Sequence, residues 1–217
     1  MINTFFSSPI LFFISLAASL VAIAVHECAH AWTANRLGDP TARLAGRISL
    51  NPFVHLDLSG LLFLLFFGFG WGKPVEFDAF NLKNPRKDAA LISVAGPISN
   101  IVLALVLSLI LRLFTFYNLS FLHTIGEIIL IRFILMNLVL GVFNLIPIHP
   151  LDGFKIVGGI LSEERSREWY GLERYGMLFL ILLIIPIGGS SLLDGVLQPA
   201  LRLLFPLFIP TAGLGVV

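Results

Sequence analysis

Two histidines and a glutamate within five residues are the part of this sequence best suited to chemistry. His26 and His30 are four positions apart, so in a helix they lie one turn above each other and can direct two imidazole nitrogens at one metal ion. Glu27 follows His26 directly. It lies too close to serve as an easy third ligand, but it is well placed to take a proton from a water molecule at the metal. The pattern predicts a zinc site with a carboxylate base beside it.

The surroundings of this motif strengthen the metal interpretation. The stretch from Pro9 to Val25 carries no charged side chain and continues into the motif without a break. With the motif included, its length matches the roughly 20 residues that a helix needs to cross a bilayer. Ionisable residues inside such a span usually mark a functional interior. Arg36 is the first charge beyond the motif, and about ten residues of helix place the metal about 15 Å inside the surface that Arg36 marks.

The composition is that of a membrane protein. Hydrophobic residues make up 57% of the 217 residues and charged residues 12%, with a mean hydropathy of +0.94, whereas a soluble domain has about 25% charged residues. A net charge of +1 and the lack of any basic run argue against nucleic acid as a partner. We expect a single integral membrane domain over 1–217, surrounded by membrane lipid.

Apolar stretches along the chain predict an α-helical protein with about four to six transmembrane helices. We interpret the N-terminal stretch as an uncleaved first span rather than a signal sequence. The expected spans are Pro9–Trp32, Asp88–Leu113, Ile125–Ile146 and Tyr175–Ile185, and C-terminal helices are expected over 175–217. Half of the 14 Lys and Arg residues fall between Arg36 and Lys87, and four more between Lys155 and Arg174. The positive-inside rule makes these two loops cytoplasmic and directs the active site of a multi-pass cell-membrane protein toward the cytoplasm.

The pattern changes between the first and second spans. Charged or small polar residues alternate with apolar ones over Arg43–Leu50, and this period of two predicts a strand. Gly70–Val75 is a second extended segment flanked by glycine. Non-helical backbone at membrane depth needs protein or water to satisfy its polar groups. We therefore expect a re-entrant or interfacial β element packed against the site, with an ordinary cytoplasmic loop as the alternative.

A catalytic zinc site has three protein ligands and an open position. Asp152 lies just after the third span, at the same expected depth as the two histidines, in a segment that two prolines must open. Its carboxylate is a candidate third ligand. A turn, or an N-cap for the helix that follows, explains Asp152 equally well from spacing alone.

Five motifs in order resemble the site-2 protease family of intramembrane zinc metalloproteases, over roughly Val21–Phe154. They are His26-Glu27-x-x-His30, Gly46-Arg47-Ile48-Ser49-Leu50-Asn51-Pro52, Gly72-Lys73-Pro74-Val75, Gly96-Pro97-x-x-Asn100 and Asn144-x-x-Pro147-x-x-x-Leu151-Asp152-Gly153. The chain is similar to the short prokaryotic members that lack a PDZ or CBS domain. This resemblance implies hydrolysis of peptide bonds within or near the transmembrane segments of membrane-protein substrates.

The resemblance also implies residue roles. His26, His30 and Asp152 would bind one zinc ion per chain, Glu27 would be the catalytic base, and Asn144 would assist near the reacting carbonyl. For Asn144 an interhelical hydrogen bond is the alternative. His149 stands where the family pattern has a proline or a small residue, which leaves a bystander, a proton relay and a substitute ligand all open.

Substrate binding is expected along the second extended segment and at one helix motif. We assign Trp71, Gly72, Lys73 and Asn100 to it. An extended peptide can add to such a segment as a strand. Trp71 and Lys73 are equally suited to anchoring at the membrane interface, and Asn100 to packing between helices. A metal transport protein or an inactive scaffold is the alternative function for the whole chain, and it would leave Glu27 unexplained.

Overall fold

The computed structural model describes residues 2–67, 70–117, 125–187 and 189–210, and these are mainly helical. The helices are α1 Ile2–Ser7, α2 Pro9–Arg36, α3 Thr41–Leu44, α4 Leu58–Phe67, α5 Pro85–Phe116, α6 Ile125–Asn144, α7 Asp152–Ile160, α8 Glu163–Tyr170, α9 Gly176–Ile184 and α10 Leu192–Phe208. Two-residue strands, β1 Pro186–Ile187 and β2 Ser190–Ser191, pair antiparallel with Pro186 opposite Ser191. Short 3-10 turns occupy Pro52–His55, Ala79–Asn81 and Glu173–Tyr175.

Three helices of the described residues, α2, α5 and α6, are long and apolar enough to cross a membrane. They contain most of the first three predicted spans, and each packs against the other two. The C-terminal helices predicted over 175–217 correspond to α9 and α10, which are shorter than a full span; residues 211–217 lie outside the described part of the chain. Pro97 sits inside α5 without ending it.

The core of the bundle lies between α5, α6 and α10. Ala104 of α5 and Ile134 and Leu138 of α6 are fully buried there, and Leu201 and Phe208 of α10 close the cluster. The outward face of α5 exposes about half of each of its large apolar side chains: Leu91, Ile98, Val102, Leu105, Leu109 and Leu113. Apolar surface of this kind is what lipid solvates, so the burial pattern agrees with a membrane protein.

The strand predicted over Arg43–Leu50 is wrong. The chain forms helix α3 and then a turn in which Gly46 takes a positive φ of 70°, a conformation that glycine adopts without steric cost. The N–H groups of Gly46 and Arg47 donate to the carbonyls of Arg43 and Ala42, at 3.0 and 2.9 Å. Donors used locally in this way are not available to a neighbouring strand. The alternating pattern therefore arises in a compact turn.

The β element expected after the first span is also wrong. The segment Gly70–Val75 is non-helical, but its pairing with the rest of the described chain is limited to one isolated bridge, between Leu56 and Gly72. That bridge is closed by Lys73 N–H, which donates to the carbonyl of His55 at 2.8 Å. Side chains bind the neighbouring backbone groups: Arg47 donates to the Lys73 carbonyl, and Val75 N–H donates to the Glu27 carboxylate. The segment is therefore held mainly by side chains rather than by a sheet.

Asp39 fastens the end of α2 to the chain that leads into α5. Its side chain is fully buried and accepts hydrogen bonds from the Thr41 N–H and hydroxyl, from Asp78 N–H at 2.8 Å, and from the Asn81 amide at 2.8 Å. Burial by itself would raise the pKa of Asp39, but the hydrogen bonds from Thr41, Asn81 and Asp78 outweigh it and hold the pKa below its ordinary value. The ionised Asp39 carboxylate therefore holds the end of α2 in a fixed position relative to Asp78 and Asn81, which precede α5.

Candidate metal centre

Three side chains from two helices meet at one point in the bundle. His26 and His30 lie on one face of α2, with ring centroids 4.6 Å apart, and Asp152 is the first residue of α7. Oδ2 of Asp152 is 3.0 Å from Nε2 of His26 and 3.2 Å from Nε2 of His30. One ligand atom from each residue lies within 4.8 Å of the others. The predicted ligand set is therefore assembled in the fold.

The two imidazoles are held in the tautomer that a metal needs. Nδ1 of His26 lies 2.7 Å from Oδ1 of Asn100, and Nδ1 of His30 lies 2.7 Å from the carbonyl oxygen of Ile92. Both partners can only accept, so each Nδ1 carries the proton and donates it. The lone pairs of the two Nε2 atoms then face Asp152. Such hydrogen bonds orient metal ligands and raise their basicity.

Asn100 has its own orientation fixed by further contacts. Its amide nitrogen donates to the carbonyl of Ala22 at 2.9 Å and to Oδ1 of Asn137 at 2.8 Å, so Oδ1 of Asn100 is the atom that faces His26. Asn100 and Asn137 are both fully buried. Asn100 therefore links the metal centre to α6, and the substrate-binding role assigned to it stays a prediction.

Space for the two rings comes from a missing side chain. A Cβ placed on Gly96 would lie 2.5 Å from Nε2 of His30 and 2.6 Å from Nε2 of His26. Real Cβ contacts of this length do not occur, so any larger residue would displace the imidazoles. Gly96 and Asn100 lie one helical turn apart on α5, so the same face supplies both the space and the hydrogen-bond acceptor.

Asp152 reaches the site because its neighbour is also a glycine. A Cβ on Gly153 would lie 2.4 Å from the carbonyl oxygens of Leu145 and Ile146. The first turn of α7 therefore packs directly on the chain that leaves α6. A carboxylate at the start of a helix is favoured by the helix dipole, so the Asp-Gly pair serves both the local helix and the placement of Asp152.

Glu27 lies beside the ligands and has a defined partner. Its Oε2 accepts a hydrogen bond of 3.0 Å from Val75 N–H. The base predicted from the sequence is thus adjacent to the ligand cluster and anchored at one of its two carboxylate oxygens.

The other predicted residues lie at varying distances from this cluster. Asn144 ends α6, and its amide donates to the carbonyl of Leu140 at 3.0 Å, within its own helix; its catalytic role stays a prediction. His149 turns away from the ligands, because its Nε2 pairs with Oε1 of Glu173 at 3.2 Å and its ring packs on Phe154. His149 lies outside the ligand cluster, which leaves Asp152 as the third member.

The segment predicted to bind substrate borders the base. A Cβ on Gly72 would lie 2.6 Å from Ile23 and 3.8 Å from Cγ of Glu27, so Gly72 permits close approach to α2. The Trp71 ring packs against Phe63 of α4, with centroids 4.9 Å apart, and the Lys73 side chain is exposed. Gly72 therefore lies next to Glu27, whereas the Trp71 ring contacts α4.

Sequence reasoning missed the parts that hold the ligands in place. Gly96 and Asn100 were visible as a motif, but their action on His26 and His30 depends on how α5 packs against α2. A polar residue in the middle of an apolar span is the signal that could have identified Asn100 as a partner of a histidine. Val75 contributes a backbone group, so its side chain gives no signal.

The residues fit zinc by their chemistry and their spacing. Two neutral imidazoles and a carboxylate are a ligand set that zinc uses in catalytic sites, and ligand atoms around a tetrahedral zinc ion lie about 3.3 Å apart. The separations of 3.0 and 3.2 Å from Asp152 to the two imidazoles are close to that value. Gly96 keeps the space on one side of these nitrogens clear of side chain.

Comparison with known proteins agrees with this geometry. The profile of Peptidase family M50 matches residues 12–129 and 123–185. A Bacillus subtilis protein named "Putative zinc metalloprotease YwhC" is 36% identical over 185 residues, which cover 80% of this chain and 81% of the relative. A Mycobacterium tuberculosis protein named "Putative zinc metalloprotease Rip2" is 29% identical over 180 residues, which cover 80% of this chain and 67% of the relative.

A more distant relative carries a similar name. "Zinc metalloprotease MJ0392" of Methanocaldococcus jannaschii is 26% identical over 144 residues, covering 66% of this chain and 33% of that protein. No solved structure matches this chain significantly. The family profile covers the segments that contain His26, His30 and Asp152, and the relatives are named as zinc metalloproteases. The chain therefore belongs to Peptidase family M50, the site-2 protease family of membrane zinc metalloproteases.

Proposed function

We propose that this protein is a zinc endopeptidase that cleaves membrane-protein substrates within or near their transmembrane segments. The observation that carries the proposal is the convergence of His26, His30 and Asp152, with Glu27 adjacent, inside a bundle of membrane-length helices. A soluble substrate would have little access to such a site, whereas a chain already in the membrane can approach it laterally.

The chemistry assigns a proton path to Glu27. One zinc ion per chain, bound by His26, His30 and Asp152, would activate water and polarise the scissile carbonyl. Glu27 takes a proton from the attacking water as the new C–O bond forms at the carbonyl carbon. It then gives that proton to the amide nitrogen as the C–N bond breaks. The products are a carboxylate and an amine, with no covalent link to the protein.

Two further groups complete the proposal. Asn144 lies at the end of α6, just before the turn that leads to Asp152, and we assign its amide to the developing oxyanion. One N–H of that amide now donates to the Leu140 carbonyl, so the second N–H is the one assigned to the oxyanion. We assign the unwound substrate to the segment formed by Trp71, Gly72 and Lys73. A Cβ on Gly72 would lie 3.8 Å from Cγ of Glu27, so this segment lies beside the proposed base.

Orientation follows from charge. The Lys and Arg residues concentrated between Arg36 and Lys87 and between Lys155 and Arg174 direct the proposed site toward the cytoplasm. In a protein of four to six spans, α9 and α10 would have to complete the crossings beyond α2, α5 and α6, although each alone is shorter than a full span. The water needed for hydrolysis would then enter from the cytoplasmic side.

The experiment uses purified protein and a labelled single-span peptide in detergent micelles. Wild type is expected to cut the peptide within or next to its apolar segment, to stop when zinc is chelated, and to recover when zinc is restored. Glu27→Gln is expected to keep its zinc without cutting. Glu164→Gln, which changes an exposed carboxylate on α8, is the matched control and should cut normally. Stoichiometric zinc together with failure to cut any membrane peptide would favour the transport or scaffold alternative.

A further inference from the structure

The non-helical segment from Gly72 to Asp78, which we call the strap, lies against the side of α2 that carries Glu27. We propose that Arg47 is a positioning residue for the general base: it fixes the strap, and the Val75 N–H of the strap fixes the Glu27 carboxylate. This inference rests on the proposed function of Glu27. It concerns a residue far from the metal ligands in sequence and on a different segment of the chain.

Arg47 is buried in an unusual way for a cation. Only 8% of the residue is exposed. Its guanidinium donates from Nη1 to the carbonyl of Val54 and from Nη2 to the carbonyl of Lys73. Burying a charge against neutral acceptors costs free energy that simple packing of an apolar residue would avoid. The forked donors of arginine, however, can bridge two chain segments at once, which the single ammonium of lysine does less well.

The contact with Lys73 immobilises one peptide unit of the strap. The Lys73 N–H donates to the carbonyl of His55 at 2.8 Å, while Arg47 holds the Lys73 carbonyl. Two residues later, Val75 N–H donates to Oε2 of Glu27 at 3.0 Å. Only Pro74 separates the two, and its ring locks its φ angle, so little freedom remains between them. A displacement of the Lys73 peptide therefore moves the Val75 donor.

The far end of the strap is anchored independently. Asp78 N–H donates to Oδ2 of Asp39 at 2.8 Å. Asp39 follows the last turn of α2, the helix that carries Glu27. The strap is therefore tied to the end of that helix at Asp78 and to the turn after α3 through Arg47. Fixing both ends limits the positions that Val75 can take.

This restraint has a direct effect on the base. A glutamate side chain with no partner loses rotamer entropy when it is ordered, and a hydrogen bond formed before the substrate arrives removes that cost from the catalytic step. Because Oε2 accepts from Val75 N–H, we assign the proton transfer to the other oxygen, Oε1. A misplacement of about 1 Å in such a group can lower a rate by about a hundredfold.

The test compares Arg47→Gln with Arg43→Gln in zinc-loaded full-length protein in micelles. Arg43 lies on the same stretch of chain, but its side chain is exposed, so it is the matched control. Amide hydrogen exchange is measured without substrate over peptides covering 72–78, and kcat and KM are measured with the labelled membrane peptide. Arg47→Gln is expected to speed exchange of Val75 by about tenfold or more, and to lower kcat by about ten- to a hundredfold. KM and zinc content should stay close to wild type.

A second variant guards against misfolding of the first. Asp39→Asn loosens the opposite end of the strap, so it should produce the same faster exchange and lower kcat. Because both variants act through one segment, their effects should combine less than additively in the double variant.

Three results would overturn the proposal. They are unchanged exchange at Val75 in Arg47→Gln, faster exchange with an unchanged kcat, and a raised KM with an unchanged kcat, which would make the strap a substrate-holding element only. Hydrogen exchange is measured without substrate, so it reports whether Arg47 restrains the strap even if no peptide is cleaved. A wild-type protein that cleaves no peptide would therefore overturn the proposed function but not the restraint of Val75 by Arg47.

Discussion

Nδ1 of His26 and Oδ1 of Asn100 lie 2.7 Å apart, although the residues are 74 positions apart in sequence and belong to different membrane-length helices. The contact joins a proposed metal ligand on α2 to a fully buried amide on α5. It fixes which imidazole nitrogen faces the metal. The zinc affinity of the proposed centre should therefore depend on the packing of α2 against α5 as well as on the three ligands.

Replacing Asn100 should weaken zinc binding. Asn100→Ala removes the acceptor of His26, and loss of such a partner typically lowers metal affinity by about 10- to 100-fold. Competition with a fluorescent zinc chelator measures the change. Asn144→Ala is the comparison: it should retain zinc affinity while lowering kcat by about a hundredfold or more if its amide serves the oxyanion. Normal zinc affinity in Asn100→Ala would show that the hydrogen bond does not support the ligand.

The third ligand can be assigned by zinc content. Asp152→Asn should lower bound zinc well below one ion per chain, since the neutral amide is a poorer ligand than a carboxylate. His149→Ala should leave zinc near one per chain, because His149 pairs with Glu173 away from the cluster. Metal analysis of both purified variants gives the answer. The reverse pattern would make His149 the ligand.

Glu27→Gln should separate metal binding from turnover. Glutamine has nearly the same shape and can still accept a hydrogen bond from Val75, but it cannot take a proton from water. General acid–base groups contribute about 10²- to 10⁴-fold, so kcat should fall by at least that range with zinc retained. Substantial cleavage by this variant would assign the base elsewhere.

The space at Gly96 gives a prediction about a single methyl group. Gly96→Ala places a Cβ about 2.5 Å from the His30 ring, so both imidazoles must move and zinc affinity should fall sharply; overpacking of this kind typically costs about 1–3 kcal/mol. Gly195→Ala is the control, because a Cβ there meets nothing within 4 Å. Isothermal titration of the metal-free proteins with zinc compares them. Equal affinities would mean that α5 can shift to accommodate the methyl group.

Asp39 should make part of the stability depend on pH. Its pKa in the folded protein lies below the ordinary value of about 3.9. The stabilisation from its ionised form is therefore complete near neutral pH and is lost as pH falls through the folded-state pKa. Thermal melts in micelles should show Asp39→Asn less stable than wild type at pH 7, with the difference shrinking below about pH 4. A difference that does not change with pH would exclude this linkage.

The metal centre could be predicted largely from the sequence, because its chemistry lies in side chains with fixed spacing. His26, His30 and Glu27 share one helix, and the apolar span around them makes a chance pattern on a solvated helix face a poor explanation. Asp152 required the family resemblance, since spacing alone allowed a helix cap. The structure places it at the start of α7 and within reach of both imidazoles, so the local and the ligand interpretations are compatible.

The connection between α2 and α5 could not be predicted in the same way. Alternation over Arg43–Leu50 is typical of a strand, but a turn with Gly46 at positive φ uses the same residues. The strap is held by Arg47, Asp39 and Glu27, which are side chains that bind backbone groups. Periodicity describes which side chains face a core and carries no information about such bonds.

Ile92, Gly96 and Asn100 occupy successive turns of α5, so everything that this helix offers to the two histidines lies along one narrow stripe. Rotating α5 by a single residue step, about 100°, would remove the carbonyl, the empty space and the amide together. Zinc affinity at the proposed site would therefore depend on the rotational register of this one helix as well as on the ligands themselves.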